Sequence, residues 1–598
     1  MTRLPLALLA LVLPCALRAQ DSISTYAEGF EARLHVTQPQ LAYTVRADPA
    51  DLSAWHLELA VRNAPDTLRL TIPVWAPGAY RLVDFWRQVR DLRVTSGGQA
   101  VPVVKEDSVT WRAVVRGGAA TVQWNVGWPT PAGGSAPSNR SFLVATGGLL
   151  DGPASYVHLV GRTDLPAHVT FVLPDEWRIA TGLVPTADPR VFFAPSVDML
   201  IDSPVLVGAL RTWRFGVRGI PHRVAYWAKP DAAPFDTARF VEVARRVVET
   251  AADIVGTLPY REYTFLYIDG SGGGLEHLNS TTIGVSGAAL AKDPTDHASV
   301  TAHEYFHLWN VKRLRPAALG PFDYEHAVRT TSLWWSEGVT DYFAEEILRR
   351  AGLEDSAAAR AALASNLTSY FGNPGHARVS PERSSWTAWD PPSVNGGYSL
   401  SYYLSGALTG ELLEMELRDR TGGRRGMDDV LRLMLARHAG AHGFGSEDLV
   451  RAVNETCGCD LQDFFARHIQ GSEPLPAARV LALAGFRLAV DTIEARTTQG
   501  APAPDLRLVG QSFAGMGSAG GAAGGRLRLG VGNAESAWGR AGLVTGDELV
   551  SVDGRPVADA AALKAALAGK AAGDTVRVSV LRAGTPRSFT VTVAPKAT

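Results

Sequence analysis

The stretch His303-Glu304-Tyr305-Phe306-His307 constrains this chain more than any other. Its two histidines stand four residues apart, and an α-helix brings that spacing onto one face. Both imidazoles then reach one metal ion, and Glu304 sits beside it, placed to take a proton from an attacking water. A hydrolytic zinc site takes three protein ligands and leaves one position open. The third ligand is expected on a nearby element, and Glu337 in Trp334-Trp335-Ser336-Glu337-Gly338 is the candidate. The alternative is an exposed glutamate favoured by a helix N-terminus, which the adjoining tryptophans argue against. Asp341 lies one turn beyond Glu337. It either accepts a hydrogen bond from a ligand histidine or is a solvated helix aspartate.

The 598 residues suffice for three or four domains. A hydrophobic content of 46%, a charged content of 20% and a net charge of -2 are those of an ordinary globular protein, with no polybasic run for a nucleic acid. Arg3, the apolar run Leu4–Leu17 and Ala19 before Gln20 predict a signal peptide at 1–19 and an exported chain, periplasmic or secreted. That run is too short to span a bilayer and contains Pro5 and Pro14, and no other stretch is long enough.

The expected fold class is multidomain α+β. Residues 20–230 form a β-rich, antiparallel sandwich-like domain, with short apolar runs at 57–61, 68–72 and 169–173 and turn residues such as Pro131-Ala132-Gly133-Gly134. Residues 231–480 form a mainly helical domain opening on one small sheet. Helices are expected at 237–255, 295–309, 336–350, 402–418, 427–438 and 446–453, with a strand at 263–268. Residues 481–598 hold a linker, a Gly/Ala/Ser loop at 515–525 and a β-rich unit at 527–592, with a strand expected near 478. Cys457 and Cys459 enclose one glycine. A disulfide there is expected to be strained, and two thiols make half a zinc site at best, so a local structural role is expected.

His303-Glu304-Tyr305-Phe306-His307-Leu308-Trp309-Asn310-Val311-Lys312-Arg313, with Glu337-Gly338 downstream, resembles the glycyl aminopeptidase family of gluzincin metallopeptidases. Trp75-Ala76-Pro77-Gly78-Ala79-Tyr80 is similar to that family's N-terminal domain. The resemblance implies a thermolysin-like catalytic domain, one Zn2+ on His303, His307 and Glu337, and peptide substrates with a free N-terminus. It also implies a preference for glycine or alanine at the first position. Gly272-Gly273-Gly274-Leu275-Glu276-His277 is similar to the Gly-x-Met-Glu-Asn motif of the related aminopeptidase N family. That similarity implies Glu276 as the anchor of the substrate amine, with Gly273 and Gly274 on the strand that pairs with the substrate backbone. Tyr403-Leu404-Ser405-Gly406 keeps the tyrosine and glycine of that family's Tyr-Glu-Lys-Gly. Tyr403 is thus the candidate donor to the oxyanion, with Tyr398 and Tyr402 as rivals.

Residues 540–557 resemble the middle of a bacterial PDZ domain, with 560–567 as its peptide-flanking helix and 576–580 as a following strand. Such a domain binds a C-terminus or an extended segment by strand addition, or else serves as a docked cap on the catalytic domain. Its carboxylate-binding loop is not placed, and residues 529–531 and 506–508 are both candidates. The leading expectation is an exported zinc aminopeptidase. The rivals are a PDZ-directed endopeptidase, which accepts blocked peptides, and a catalytically silent adaptor, against which the intact metal motif speaks.

Overall fold

The computed structural model describes residues 39–48, 50–127, 141–270, 272–440, 442–494, 496 and 527–595. The expected signal peptide, the 131–134 turn, the 506–508 segment and the 515–525 loop lie outside the described residues.

The N-terminal domain buries one core between three sheets. At its centre Asp51–Arg62 lies between Gln40–Asp48 and Ala119–Val126. Trp55, Leu57, Leu59 and Val61 point inward at every second position, the period of a strand with one buried face. The sandwich is not wholly antiparallel, because Gln40–Asp48 pairs in parallel with Ala167–Val172. More than a hundred residues separate those strands, so no hairpin dictates their sense.

The catalytic region is built on a five-stranded sheet. Its order is Arg211–Val217, Ile220–Trp227, Tyr263–Asp269, Ser280–Val285 and Gly274–Glu276. Two of these strands precede the expected boundary at 230 and pair with this sheet rather than with the sandwich. The helix Thr237–Val255 makes the crossover between the parallel strands Ile220–Trp227 and Tyr263–Asp269. Asp236 caps its start, accepting from Arg239 N–H, and Gly256 ends it at a φ of 97°. Tyr263–Asp269 is buried along its whole length, as a strand covered on both faces must be.

The remaining helices complete the domain around the core that the motif helix, Ala298–Phe306, shares. They include Thr340–Arg350, Ser356–Phe371, Pro381–Trp386, Tyr402–Thr421, Met427–His438 and Ser446–Cys457. Residues 477–483 are a helix, where a strand was expected. Alanine, leucine and arginine favour it, Val480 and Leu481 bury in the catalytic core, and Arg479 pairs with Glu416. Cys457 and Cys459 are joined as a disulfide rather than left as thiols. Gly458, at a φ of 62°, turns the chain back at the helix end and brings the two Cα atoms to 5.2 Å, within the ordinary span of the bond.

The C-terminal unit has its own core around Leu529, Trp538, Leu549, Val578 and Val591. Its sheet runs Arg555–Pro556, Glu548–Val552, Thr575–Arg582, Thr585–Thr592, with the helix Ala560–Leu567 packed on Glu548–Val552. Among the described residues no helix is long and apolar enough to cross a membrane.

Candidate metal centre

The motif helix carries His303 and ends at His307, so the two rings come off consecutive turns. Their Nε2 atoms face each other at 2.9 Å. Glu337 Oε2 lies 3.2 Å from His307 Nε2 and 3.8 Å from His303 Nε2. The three donor atoms thus converge on one point, all within 4.8 Å of one another.

Each ring is held from behind. His303 Nδ1 lies 2.7 Å from Asp341 Oδ1, and His307 Nδ1–H donates to the Asn310 carbonyl at 2.7 Å. Both partners direct the free Nε2 lone pairs inward, as metal-binding imidazoles require. Asn310 also donates through Nδ2 to Trp335 O at 2.9 Å and Thr340 Oγ1 at 3.0 Å. One residue of the Trp-Asn-Val-Lys-Arg run therefore orients His307 and ties the motif helix to the helix of Glu337.

Glu337 stands in a π-helical turn, Trp334–Val339, leading into Thr340–Arg350. Such turns recur at functional sites. The helix Tyr402–Thr421 crosses this turn at a glycine pair. A Cβ on Gly338 would stand 2.5 Å from Gly406 Cα, and one on Gly406 would stand 2.0 Å from Trp334 O. That close approach brings the ring of Tyr403 within 6.2 Å of the His303 ring. Tyr402 stacks on Tyr403, with ring centroids 4.8 Å apart. Tyr398 instead points its hydroxyl at Glu535 of the C-terminal unit.

Glu276 ends the edge strand of the five-stranded sheet. Gly274 passes directly over Glu304, where a Cβ would stand 2.4 Å from Glu304 Cγ. Gly273 has a φ of 74° and accepts from Gly284 N–H at the start of the same hairpin. Donor atoms of Glu276, Glu304 and His307 also lie within 4.8 Å of one another.

These groups are enclosed, and burial sets their chemistry. Glu304 is 7% exposed, and burial pushes its carboxyl up to about 7 even though His303 and His307 pull it down. Burial likewise raises Glu276, against the opposing pull of His307 and Lys312. For Glu337 the balance reverses: burial raises it, but the two histidines outweigh this and hold it well below the carboxylate range. Burial and the neighbouring Glu337 push the Tyr403 hydroxyl far up, so it stays a proton donor.

Three contributors were not foreseen from the sequence. Tyr80, in the N-terminal domain, is buried with a φ of 35°, and burial and the nearby Glu337 charge push its hydroxyl far up. Gly78, at a φ of 95°, lies so close to Glu276 that a Cβ would meet its carboxylate at 2.4 Å. Asp202, also in that domain, accepts from Lys312 Nζ at 2.7 Å and Leu278 N–H at 2.8 Å and lies 3.2 Å from His277 Nδ1. It thus holds the residues that follow Glu276. The aromatic run 75–80 was the only available signal for the first two.

The donor set fits a zinc ion. Two neutral imidazoles and one carboxylate are the ligands such an ion takes. Glu337 Oε1 is buried with no hydrogen-bond partner among the described residues, as is Glu276 Oε1. A pocket that leaves carboxylate oxygens unpaired is built for cations.

Residues 296–409 match the M61 glycyl aminopeptidase family, residues 42–209 the peptidase M61 N-terminal domain, and residues 532–593 a PDZ domain. Among curated proteins no relative matches. Among solved structures the chain is similar to an aminopeptidase N family protein from Idiomarina loihiensis. The identity is 24% over 93% of this chain and 97% of that one, with a TM-score of 0.73. An M1 zinc metallopeptidase from Deinococcus radiodurans is 16% identical over 73% of this chain and 95% of that one, with a TM-score of 0.46. The chain carries an M61 glycyl aminopeptidase domain, an M61 N-terminal domain and a PDZ domain, which make it an aminopeptidase-type zinc metallopeptidase.

Proposed function

We propose that this chain is an exported aminopeptidase that releases the first residue, glycine or alanine, from peptides, with one Zn2+ on His303, His307 and Glu337. The observation that carries this reading is Glu276. Its buried carboxylate, with one oxygen unpaired, lies within 4.8 Å of both Glu304 and a ligand histidine. An ammonium group paired there leaves room for one residue before the bond under attack.

A bound zinc ion supplies a Lewis acid and makes water acidic enough to attack at neutral pH. Glu304 accepts the proton of that water and passes it to the departing amine. It is buried beside both histidines, in reach of a water held there and of the departing amine. The Tyr403 hydroxyl donates to the oxyanion of the tetrahedral intermediate. The substrate backbone runs along Gly273 and Gly274, whose strand is at the edge of its sheet and offers its outer side for pairing. Gly78 presses on Glu276 and walls the amine pocket from the N-terminal domain. The preference for a small first residue rests on kinship with the M61 family. Export rests on Arg3 and the apolar run that follows it. The PDZ domain favours one second reading, an endopeptidase directed by bound segments.

Glu304→Gln tests the mechanism. Zinc content by mass spectrometry stays at one per chain, and kcat falls by about 10²- to 10⁴-fold, the usual contribution of a positioned base. Undiminished turnover with zinc in place removes Glu304 from the role of base.

A further inference from the structure

The PDZ domain is joined to the catalytic domain by a strand edge. Residues 527–531 run beside residues 545–549. Leu549 N–H donates to Leu527 O at 2.7 Å, Leu529 N–H to Asp547 O at 2.8 Å, Gly546 N–H to Leu529 O at 2.8 Å, and Val531 N–H to Thr545 Oγ1 at 2.8 Å. In an extended chain successive residues turn their backbone groups to opposite sides. Residues 527, 529 and 531 face their own sheet, so 528, 530 and 532 face outward.

The outward carbonyl of Gly532 is taken. Ser399 donates to it twice, through N–H at 3.1 Å and through Oγ at 2.9 Å. Tyr398 pairs with Asn533 in an antiparallel bridge, and its hydroxyl donates to Glu535 at 3.0 Å. The fit is close. A Cβ on Gly397 would stand 2.9 Å from Ala534 Cβ, and one on Gly532 would stand 2.7 Å from Ser399 Oγ. Strand addition of this kind is how a PDZ domain takes an extended peptide.

The same segment runs straight to the metal centre. Ser399 O accepts from Asn373 Nδ2 at 2.8 Å, and Leu400 is buried with its carbonyl taken by the Ser384 hydroxyl. Ser401 then caps the helix Tyr402–Thr421, accepting from Leu404 N–H at 3.3 Å. Tyr402 and Tyr403 are its first two residues.

The geometry points to a partner in cis: residues 397–399 occupy the outward edge of the PDZ strand, and the PDZ domain is a clasp on the segment that sets Tyr403 at the metal centre. An extended peptide from another chain entering along this edge meets Ser399 at Gly532 and competes with it. The effect on turnover rests on the peptidase reading above, whereas the clasp itself does not.

Two substitutions on the PDZ side test it in the full-length zinc-loaded protein. Ala534→Arg drives a side chain against Gly397, and Glu535→Ala removes the partner of Tyr398. Hydrogen exchange is read on peptides covering 396–401 and 528–534, alongside kcat on a free alanyl peptide, zinc content and melting temperature. The clasp predicts at least ~10-fold faster exchange in both segments in Ala534→Arg, a smaller rise in Glu535→Ala, and unchanged zinc content. It also predicts a lowered kcat in both variants. Wild-type exchange as fast in both segments as in the variants overturns the clasp. Faster exchange with unchanged kcat overturns its hold on Tyr403. If the wild type turns over no peptide, the peptidase reading fails while the exchange data still decide the clasp.

Discussion

Asp202→Asn removes one charge from the seam between the N-terminal domain and the metal centre. Asp202 sits where burial alone would raise its carboxyl, but the Lys312 ammonium at 2.7 Å and His277 outweigh burial and hold it at about 2, against an ordinary 3.8. At about 1.36 kcal/mol per unit, that difference is worth about 2 kcal/mol of stability at neutral pH. Its side chain is only 11% exposed, so solvent screening takes little away. The sign follows from the lowered value. The stabilisation is complete above the unfolded value near 3.8 and fades as the pH falls through the folded value near 2. About half remains at pH 3. Asp198, one turn earlier, is raised by burial and titrates in the opposite sense, so the difference between wild type and variant is the quantity to follow. Urea unfolding read by tryptophan fluorescence at pH 7, 5 and 3 supplies it. The variant is expected to lose about 2 kcal/mol at pH 7 and 5 and about 1 kcal/mol at pH 3. A loss that does not change with pH, or one below about 0.5 kcal/mol at pH 7, refutes an ionised Asp202 clamped by Lys312.

Glu276→Gln keeps the size of the amine anchor and removes its charge. It lowers kcat/KM on free alanyl peptides by about 10- to 100-fold, the value of a charge-assisted hydrogen bond, and leaves zinc content unchanged. Equal rates in variant and wild type contradict the anchor. Tyr403→Phe lowers kcat by about 10²-fold with little change in KM, as expected for a donor that acts in the transition state. If Tyr402→Phe does this and Tyr403→Phe does not, the hydroxyl belongs to Tyr402.

What was legible in the sequence is what local spacing encodes. The i,i+4 histidines and the helix of Glu337 follow from helix geometry, and the strands at 57–61 and 68–72 from their period of two. Contacts between distant segments leave no such trace. Asn310 and Lys312 stand inside a run that resemblance singled out, yet their partners lie at Trp335, Thr340 and Asp202. Tyr80 reaches Glu337 across more than 250 residues of chain. The helix Ser356–Phe371 buries only Leu367 and Tyr370, so it has no apolar stripe for a periodicity argument to find. The disulfide escaped because spacing alone argues against it, while the left-handed Gly458 that permits it is a conformation, not a pattern.

A site that reads a free N-terminus distinguishes a free peptide from a blocked one. Cleavage of Ala-Ala-Phe amide is compared with that of its N-acetyl derivative, each with and without a zinc chelator. Free alanine is released from the first peptide, that activity is lost on chelation and recovered on added zinc, and the acetylated peptide is not cleaved. Chelator-sensitive cleavage of the acetylated peptide at a comparable rate contradicts the role of Glu276 and identifies an endopeptidase.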